Sequence, residues 1–247
     1  MPHIARVAPG GLVYHVLNRA NGRRRLFKKD DDFLAFEEVL ALAHERLPIR
    51  ILDWVMMSDH WHMVLWPERD GELTGFFRWL TPTHVPPRRG RVSIAGRGHL
   101  YQGRFKSFPI QDDGHLLTAL RYVERNPLRA NLVKRAEEWR WGSCFARQHR
   151  GHALAPLLSP WPIDCPRGWL ELVNQPQTAA EEKVVVTSIE RSRPLGSQQW
   201  VQRTAEKLHL QQSFRLRGRP PGWRKRYQLS TIHCHLPSAT ARWTCWR

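Results

Sequence analysis

Two histidines, His60 and His62, flank Trp61 within the apolar stretch "MMSDHWHMVLWP" at residues 56–67. On a β-strand, side chains two residues apart share a face and lie about 7 Å apart, so both imidazoles can bind one divalent ion. The pattern alone is weak, because the chain contains 13 histidines. Two polar residues on a half-exposed strand face would give the same alternation. The pair therefore indicates a metal site only if other reactive groups accompany it.

Tyr122 and Asn126, in the helical stretch at 112–133, supply such groups. The expected apolar face of this helix consists of Leu116, Leu117, Leu120 and Val123. At about 100° per residue, Tyr122 lies off that face and Asn126 lies about 40° from Tyr122, so both project toward one cleft. A tyrosine can attack a DNA phosphate and keep the bond energy as a phosphotyrosine. A carboxamide oxygen is a suitable third ligand for Mg²⁺ or Mn²⁺. A tyrosine that only packs remains the alternative.

The chain has 247 residues and a formal net charge of +17, which favours a polyanionic partner. The basic residues recur along the chain and many are arginine, whose planar donors suit phosphates and base edges. Nucleic acid is therefore favoured over a membrane surface, which usually requires an amphipathic basic helix. Without a long apolar run or a secretory h-region, we expect a cytoplasmic protein. Four scattered cysteines indicate neither a disulfide framework nor a zinc ribbon.

The elements that must position these groups follow the order strand, helix, strand, strand, helix, strand, helix. This order predicts an α+β sandwich with helices on one face of a mostly antiparallel sheet. The nearly continuous apolar run "IRILDWVMM" predicts a buried central strand. Pro82, Pro86 and Pro87 predict a basic loop after the second helix, and Pro127 should end or kink the last one.

The chain divides into four predicted parts. Residues 1–147 form the domain that carries the candidate site, and residues 148–195 are linker-like. Residues 196–221 contain a short helix and a basic segment that contacts DNA. Residues 222–247 are expected to be disordered, so the fold ends in an irregular basic extension.

Several motifs, in this order, resemble the single-tyrosine HUH transposases, and in particular their REP-associated tyrosine transposase branch. They are "MSDHWHMVLWP", with the His-hydrophobic-His signature, then "GHLYQGRFKS", "RYVERNPLRANLV" and "AEEWRWGS". The resemblance covers roughly residues 8–145 and resumes in "QQWVQRTAEKLHL" and "RLRGRP". It departs after "RWLT", where relatives usually continue a helix, and this chain also runs on past "RGRP".

The resemblance implies a ferredoxin-like catalytic domain that uses Mg²⁺ or Mn²⁺ and acts on single-stranded DNA hairpins formed by REP-like palindromes. By matching motif position, Tyr122 is the nucleophile that forms a 5′-phosphotyrosine. His60 and His62 are the metal ligands, and Asn126 is the third. The branch implies a monomer rather than a homodimer.

Two basic stretches and one tail motif are predicted to contact DNA. The candidate residues are Asn18, Arg19, Arg23, Arg24, Tyr101, Gln102, Arg104, Lys106, Arg217 and Arg219. The cations would neutralise phosphates, and Tyr101 and Phe105 would stack on unpaired bases. A solvated basic surface around core aromatics is the alternative.

Two other functions stay open on the sequence. One is a catalytically inactive, sequence-specific DNA-binding protein of the same fold. The other is a metal hydrolase that uses His60 and His62, although the sequence offers no clustered carboxylate base and Tyr122 would then have no role.

Overall fold

A four-stranded antiparallel sheet in the order β2-β3-β1-β4 forms the centre of the chain. The computed structural model describes residues 8–84 and 99–215. Its strands are β1 (Val13–Arg19), β2 (Arg50–Met56), β3 (His60–Trp66) and β4 (Lys106–Ile110). Its α-helices are α1 (Asp30–Arg46), α2 (Glu72–His84), α3 (Gly114–Glu124), α4 (Asn126–Arg129), α5 (Ser143–Gln148), α6 (Trp169–Asn174), α7 (Ala179–Arg191) and α8 (Gln198–Lys207). Short 3₁₀ turns occur at Asn21–Arg23, Ala136–Glu138, Ala155–Leu157 and Gln211–Phe214.

The connections give the sheet a ferredoxin-like topology. Helix α1 joins β1 to β2 and α2 joins β3 to β4, so each helix links strands that are separated by another strand in the sheet. The predicted α+β class and the antiparallel sheet are confirmed. None of the helices in residues 8–84 and 99–215 has the combined length and apolar character needed to span a bilayer.

Two apolar cores lie on the two faces of the sheet. Helices α1 and α2 pack on one face, where Phe36 and Phe76 are fully buried. Helices α3, α6 and α7 cover the other face, on which Leu120, Val173 and Val185 are buried. The crossover helices thus share one face as expected, and the helices that follow β4 cover the second face as well.

Strand β2 lies at an edge of the sheet, so the prediction of a central strand was wrong. Its residues are nonetheless buried because later segments cover this edge. Val55 pairs with Gly142 and Ile51 with Leu158 in isolated bridges. A continuous apolar run indicates that both faces of a strand are buried, but it does not indicate whether the strand is central or at an edge of the sheet.

The two proline predictions had different outcomes. Pro82 lies inside the last turn of α2, which continues to His84, so the predicted end of this helix was wrong. The main loss there is one backbone hydrogen bond, which the last turn of a helix tolerates better than its middle. Pro127 behaves as predicted, because α3 ends at Glu124 and α4 begins at Asn126. The loop predicted around Pro86 and Pro87 lies outside the described residues.

Residues 148–195 are linker-like in composition but form part of the second core. Trp169, Val173 and Val185 are buried there. Arg121 of α3 binds this segment to the helix. Its Nη2 donates hydrogen bonds to the carbonyls of Gln175 at 2.9 Å and Pro176 at 3.0 Å. The short helix predicted after residue 196 corresponds to α8, and the tail at 222–247 lies outside the described residues.

Candidate active site

Three histidines meet on the face of the sheet that α3 covers. His60 and His62 lie on this face of β3, with ring centroids 4.9 Å apart. His15 lies on β1 opposite Val64, two pairs along from the pairing of Leu17 with His62. This diagonal places His15 Nε2 2.8 Å from His62 Nδ1, with the two rings stacked.

His15 was not among the predicted site residues. The available signal was an imidazole within the apolar run "LVYHVL". That signal names no partner, because the partner depends on the register between β1 and β3, and that register is a tertiary property.

Tyr122 lies edge-on to this histidine cluster. Its ring centroid is 6.1 Å from that of His62 and 6.5 Å from that of His15. The side chain is only 5% exposed and belongs to the second core, although it was expected to lie off the buried face. Its hydroxyl makes no hydrogen bond with any side chain or backbone group in residues 8–84 and 99–215. The ring therefore packs, and the oxygen is left without a described protein partner.

Asn126 is buried one helical turn beyond Tyr122. Its Nδ2 donates a hydrogen bond to the Tyr122 carbonyl at 3.0 Å. Its Oδ1 accepts a hydrogen bond from Arg129 Nη2 at 2.9 Å, and the Arg129 guanidinium lies 4.3 Å from the centre of the Tyr122 ring. To bind an ion through Oδ1, Asn126 must exchange this hydrogen bond for the ion.

Burial keeps all three imidazoles neutral near pH 7. It lowers the pKa of His15 to about 3. It also lowers the pKa of His62 well below the usual range, and that of His60 less, because Asp59 favours the charged form there. Neutral imidazole is the form that binds metals.

Each proposed metal-binding ring is held through its Nδ1 atom. His60 Nδ1 lies 2.6 Å from Asp59 Oδ1, and Arg19 Nη2 holds the other oxygen of Asp59 at 2.9 Å. His62 Nδ1 is held by His15. Such partners fix the tautomer and the orientation of a metal-binding histidine.

The donor atoms suit a divalent ion. With Nδ1 engaged, the Nε2 atoms of His60 and His62 make no hydrogen bond with the residues at 8–84 and 99–215. Within the same ranges, no group of three His, Cys, Asp or Glu side chains is arranged so that it could hold a metal ion by itself. A third protein ligand from these ranges must then come from a different kind of side chain, such as the amide oxygen of Asn126.

The predicted basic contacts lie mostly on the surface. Exposed side chains near the end of β1 and before β4 are Arg19, Arg24, Gln102, Arg104 and Lys106. Asn18 is instead buried, and its Oδ1 accepts a hydrogen bond from the Arg19 backbone at 2.9 Å; its contact with DNA stays a prediction. The Arg23 side chain, Arg217 and Arg219 lie outside the described residues.

Tyr101 and Phe105 belong to the first core, as in the alternative that the sequence left open, and their stacking on bases stays a prediction. The Tyr101 hydroxyl lies 2.6 Å from His84 Nδ1 and accepts a hydrogen bond from Trp61 Nε1 at 3.2 Å. Burial lowers the pKa of His84 to about 4, so this ring is neutral near pH 7. Phe105 packs against Phe77 with ring centroids 4.6 Å apart. Alternating aromatic residues in a basic segment are equally compatible with a core.

Residues 10–126 match the family model described as IS200-like transposases. The matched range includes His15, His60, His62 and Tyr122 and ends at Asn126. The chain is also similar to a solved structure described as the REP-associated tyrosine transposase bound to a REP hairpin. The similarity has 17% identity and a TM-score of 0.44, over 72% of this chain and 96% of that one. No curated protein has significant sequence similarity to the chain.

Proposed function

We propose that this chain is a transposase that cleaves and rejoins single-stranded DNA through a covalent bond to Tyr122. The observation that carries the proposal is the edge-on packing of Tyr122 at 6.1 Å from His62, inside the segment that matches the IS200-like family model. Two sequence-distant elements, β3 and α3, supply these side chains.

Tyr122 acts as the nucleophile. Its phenolic oxygen attacks a backbone phosphorus, and the bond from phosphorus to the 3′ oxygen breaks. The phenolic proton leaves to water, the departing 3′ oxygen takes up a proton, and a 5′-phosphotyrosine remains. Attack by another 3′ hydroxyl reverses these changes and rejoins a strand without ATP, because the bond energy is retained.

His60 and His62 would hold Mg²⁺ or Mn²⁺, with Asn126 as the third ligand. The ion, when bound, polarises the scissile phosphate and orients its oxygens. Asp59 and His15 keep the two rings in the tautomer whose Nε2 lone pair is available.

The proposed substrate is a single-stranded DNA hairpin formed by a REP-like palindrome. The net charge of +17 and the exposed Arg19, Arg24, Arg104 and Lys106 support binding along a phosphate backbone. We further propose that the chain acts as a monomer, since β3, α3 and α4 of one chain supply all four proposed site residues. Light scattering at micromolar concentration tests this, and a stable dimer would contradict it.

An inactive DNA-binding protein of the same fold is the second candidate. It is favoured by two contacts, because Arg129 covers the Tyr122 ring and occupies Asn126 Oδ1. In that function the same basic surface would bind a hairpin without cutting it.

Formation of a covalent adduct separates these functions. The full chain is incubated with Mn²⁺ or Mg²⁺ and a labelled pool of single-stranded hairpins whose stems end in randomised tetranucleotides. We expect an adduct that survives denaturation, is lost in Tyr122→Phe and is strongly reduced in His60→Ala. Tyr14→Phe is the matched control, since Tyr14 is a buried tyrosine of the other core, and it should keep the adduct.

Three outcomes would contradict the proposal. An adduct that survives Tyr122→Phe would refute the nucleophile. Cleavage without an adduct would favour the metal hydrolase, and hairpin binding without cleavage would favour the inactive DNA-binding protein.

A further inference from the structure

Arg129 is an exposed residue that contacts two groups of the candidate site. Its guanidinium lies 4.3 Å from the centre of the Tyr122 ring, and its Nη2 donates to Asn126 Oδ1 at 2.9 Å. Arg129 was not among the predicted site residues.

The break between α3 and α4 brings Arg129 to this position. Helix α4 begins at Asn126, with Pro127 in its first turn. Within this single turn the Arg129 side chain reaches back to Asn126 and Tyr122. The same short helix therefore carries both the proposed third ligand and the guanidinium.

A cation at this place disfavours the binding of a metal ion and favours the binding of an anion. A positive charge repels a divalent ion held by the nearby histidines. An exposed cation–π contact contributes little to stability, so packing alone explains the arrangement poorly. A scissile phosphate would offset this repulsion, because its negative charge attracts both the guanidinium and the ion.

We propose that Arg129 is a further catalytic residue, one that binds the non-bridging oxygens of the scissile phosphate; this inference rests on the proposed function of Tyr122. When the phosphate enters, the guanidinium leaves Asn126 Oδ1 and donates to the phosphate instead. The planar guanidinium can do so through two parallel hydrogen bonds. The exchange frees Asn126 Oδ1 for the ion and uncovers the Tyr122 ring.

Single-turnover adduct formation tests the role of the charge. Relative to the wild type, we expect Arg129→Met to lower the rate constant about 100-fold at saturating hairpin, the usual loss when one transition-state donor is removed. Arg129→Lys should restore part of the rate, because it keeps the charge but loses the planar pair of donors. Arg78→Met removes one exposed arginine from α2, on the other face of the sheet, and should react like the wild type.

A neutral substrate separates catalysis from packing. Once the cleavage position is mapped with the wild type, that phosphate is replaced by a methylphosphonate, which lacks the negative charge. The difference between the wild type and Arg129→Met should then largely disappear. A structural role would leave the difference unchanged, as would a change in Tyr122 packing.

The results that overturn the inference differ from those that overturn the proposed function. Two results would refute the role of Arg129 but not that of Tyr122. One is a wild-type rate constant in Arg129→Met. The other is a difference between the wild type and Arg129→Met that stays the same on the methylphosphonate. A wild type that forms no adduct with any hairpin of the pool would refute both. Urea unfolding of Arg129→Met checks the fold, and a midpoint far below that of the wild type would instead assign Arg129 a structural role.

Discussion

Replacing His15 by phenylalanine tests whether this residue positions His62. His15 is fully buried, stacks on the His62 ring and meets Phe108 edge-on at 4.9 Å. Phenylalanine keeps a planar ring in this packing but cannot form the hydrogen bond with His62 Nδ1. The change therefore removes the orienting contact and little else.

The substitution is expected to affect both metal affinity and stability, and the two effects can be measured separately. Loss of the outer partner of a metal-binding histidine typically weakens the metal about 10- to 100-fold, or about 1.4 to 2.8 kcal/mol. For stability, the lost hydrogen bond contributes about 0.5–1.5 kcal/mol. His15 Nδ1 is itself a buried atom without a described partner, and its removal offsets part of that loss. The substitution also leaves the buried His62 Nδ1 without its partner, so we expect the free energy of unfolding to fall by about 1–2 kcal/mol.

The assay compares Mn²⁺ binding with unfolding. Calorimetric titration of the metal-free full chain, without DNA, gives the Mn²⁺ affinity, and urea gives the free energy of unfolding. The matched control is His84→Phe, since His84 is a buried histidine on the other face of the sheet that also makes one hydrogen bond through Nδ1. It should lose stability and keep its Mn²⁺ affinity. Wild-type affinity in His15→Phe, or equal weakening in both variants, would refute the positioning role.

Three further predictions concern stability in urea. Tyr101→Phe should lower the free energy of unfolding by about 1–3 kcal/mol, because it leaves Trp61 Nε1 without its acceptor; an unchanged value would contradict its place in the core. Burial raises the pKa of Glu124 from its ordinary 4.5 to about 7, so the wild type should lose stability as pH rises through this range, whereas Glu124→Gln should lose less. The same dependence of the free energy of unfolding on pH in the two proteins would contradict this prediction. Val185→Ala should lower the free energy of unfolding by about 2 kcal/mol. Val184→Ala should lower it by less than about 0.5 kcal/mol, because the Val184 side chain is 46% exposed. Equal losses in the two variants would contradict the packing of α7 against the core.

Local patterns in the sequence predict the parts of the site that depend on local geometry. The alternation around Trp61 puts His60 and His62 on one strand face, and helical spacing puts Asn126 one turn from Tyr122. These relations are local in the sequence, and the structure has both of them, although α3 ends at Glu124 and α4 begins at Asn126. The order of elements likewise predicts the α+β class, because few sheet topologies suit it.

Features that depend on packing between elements could not be predicted. The contact of His15 with His62 requires the register of β1 against β3, and that of Arg129 with Tyr122 requires the direction of α4 after its break. The segment at 148–195 appears polar because each short helix buries only one or two side chains, such as Trp169 and Val185. These become a core only when they pack on α3 and the sheet.

The most direct test of the account locates the covalent bond itself. The adduct is trimmed with nuclease and digested with trypsin, and the peptides are sequenced by tandem mass spectrometry. Cleavage after Arg121 and Arg125 releases the peptide Tyr122–Arg125, with the sequence YVER. We predict a 5′-nucleotide phosphate on the Tyr122 oxygen of this peptide. The same modification on another residue would contradict the account, as would an unmodified peptide from a purified adduct.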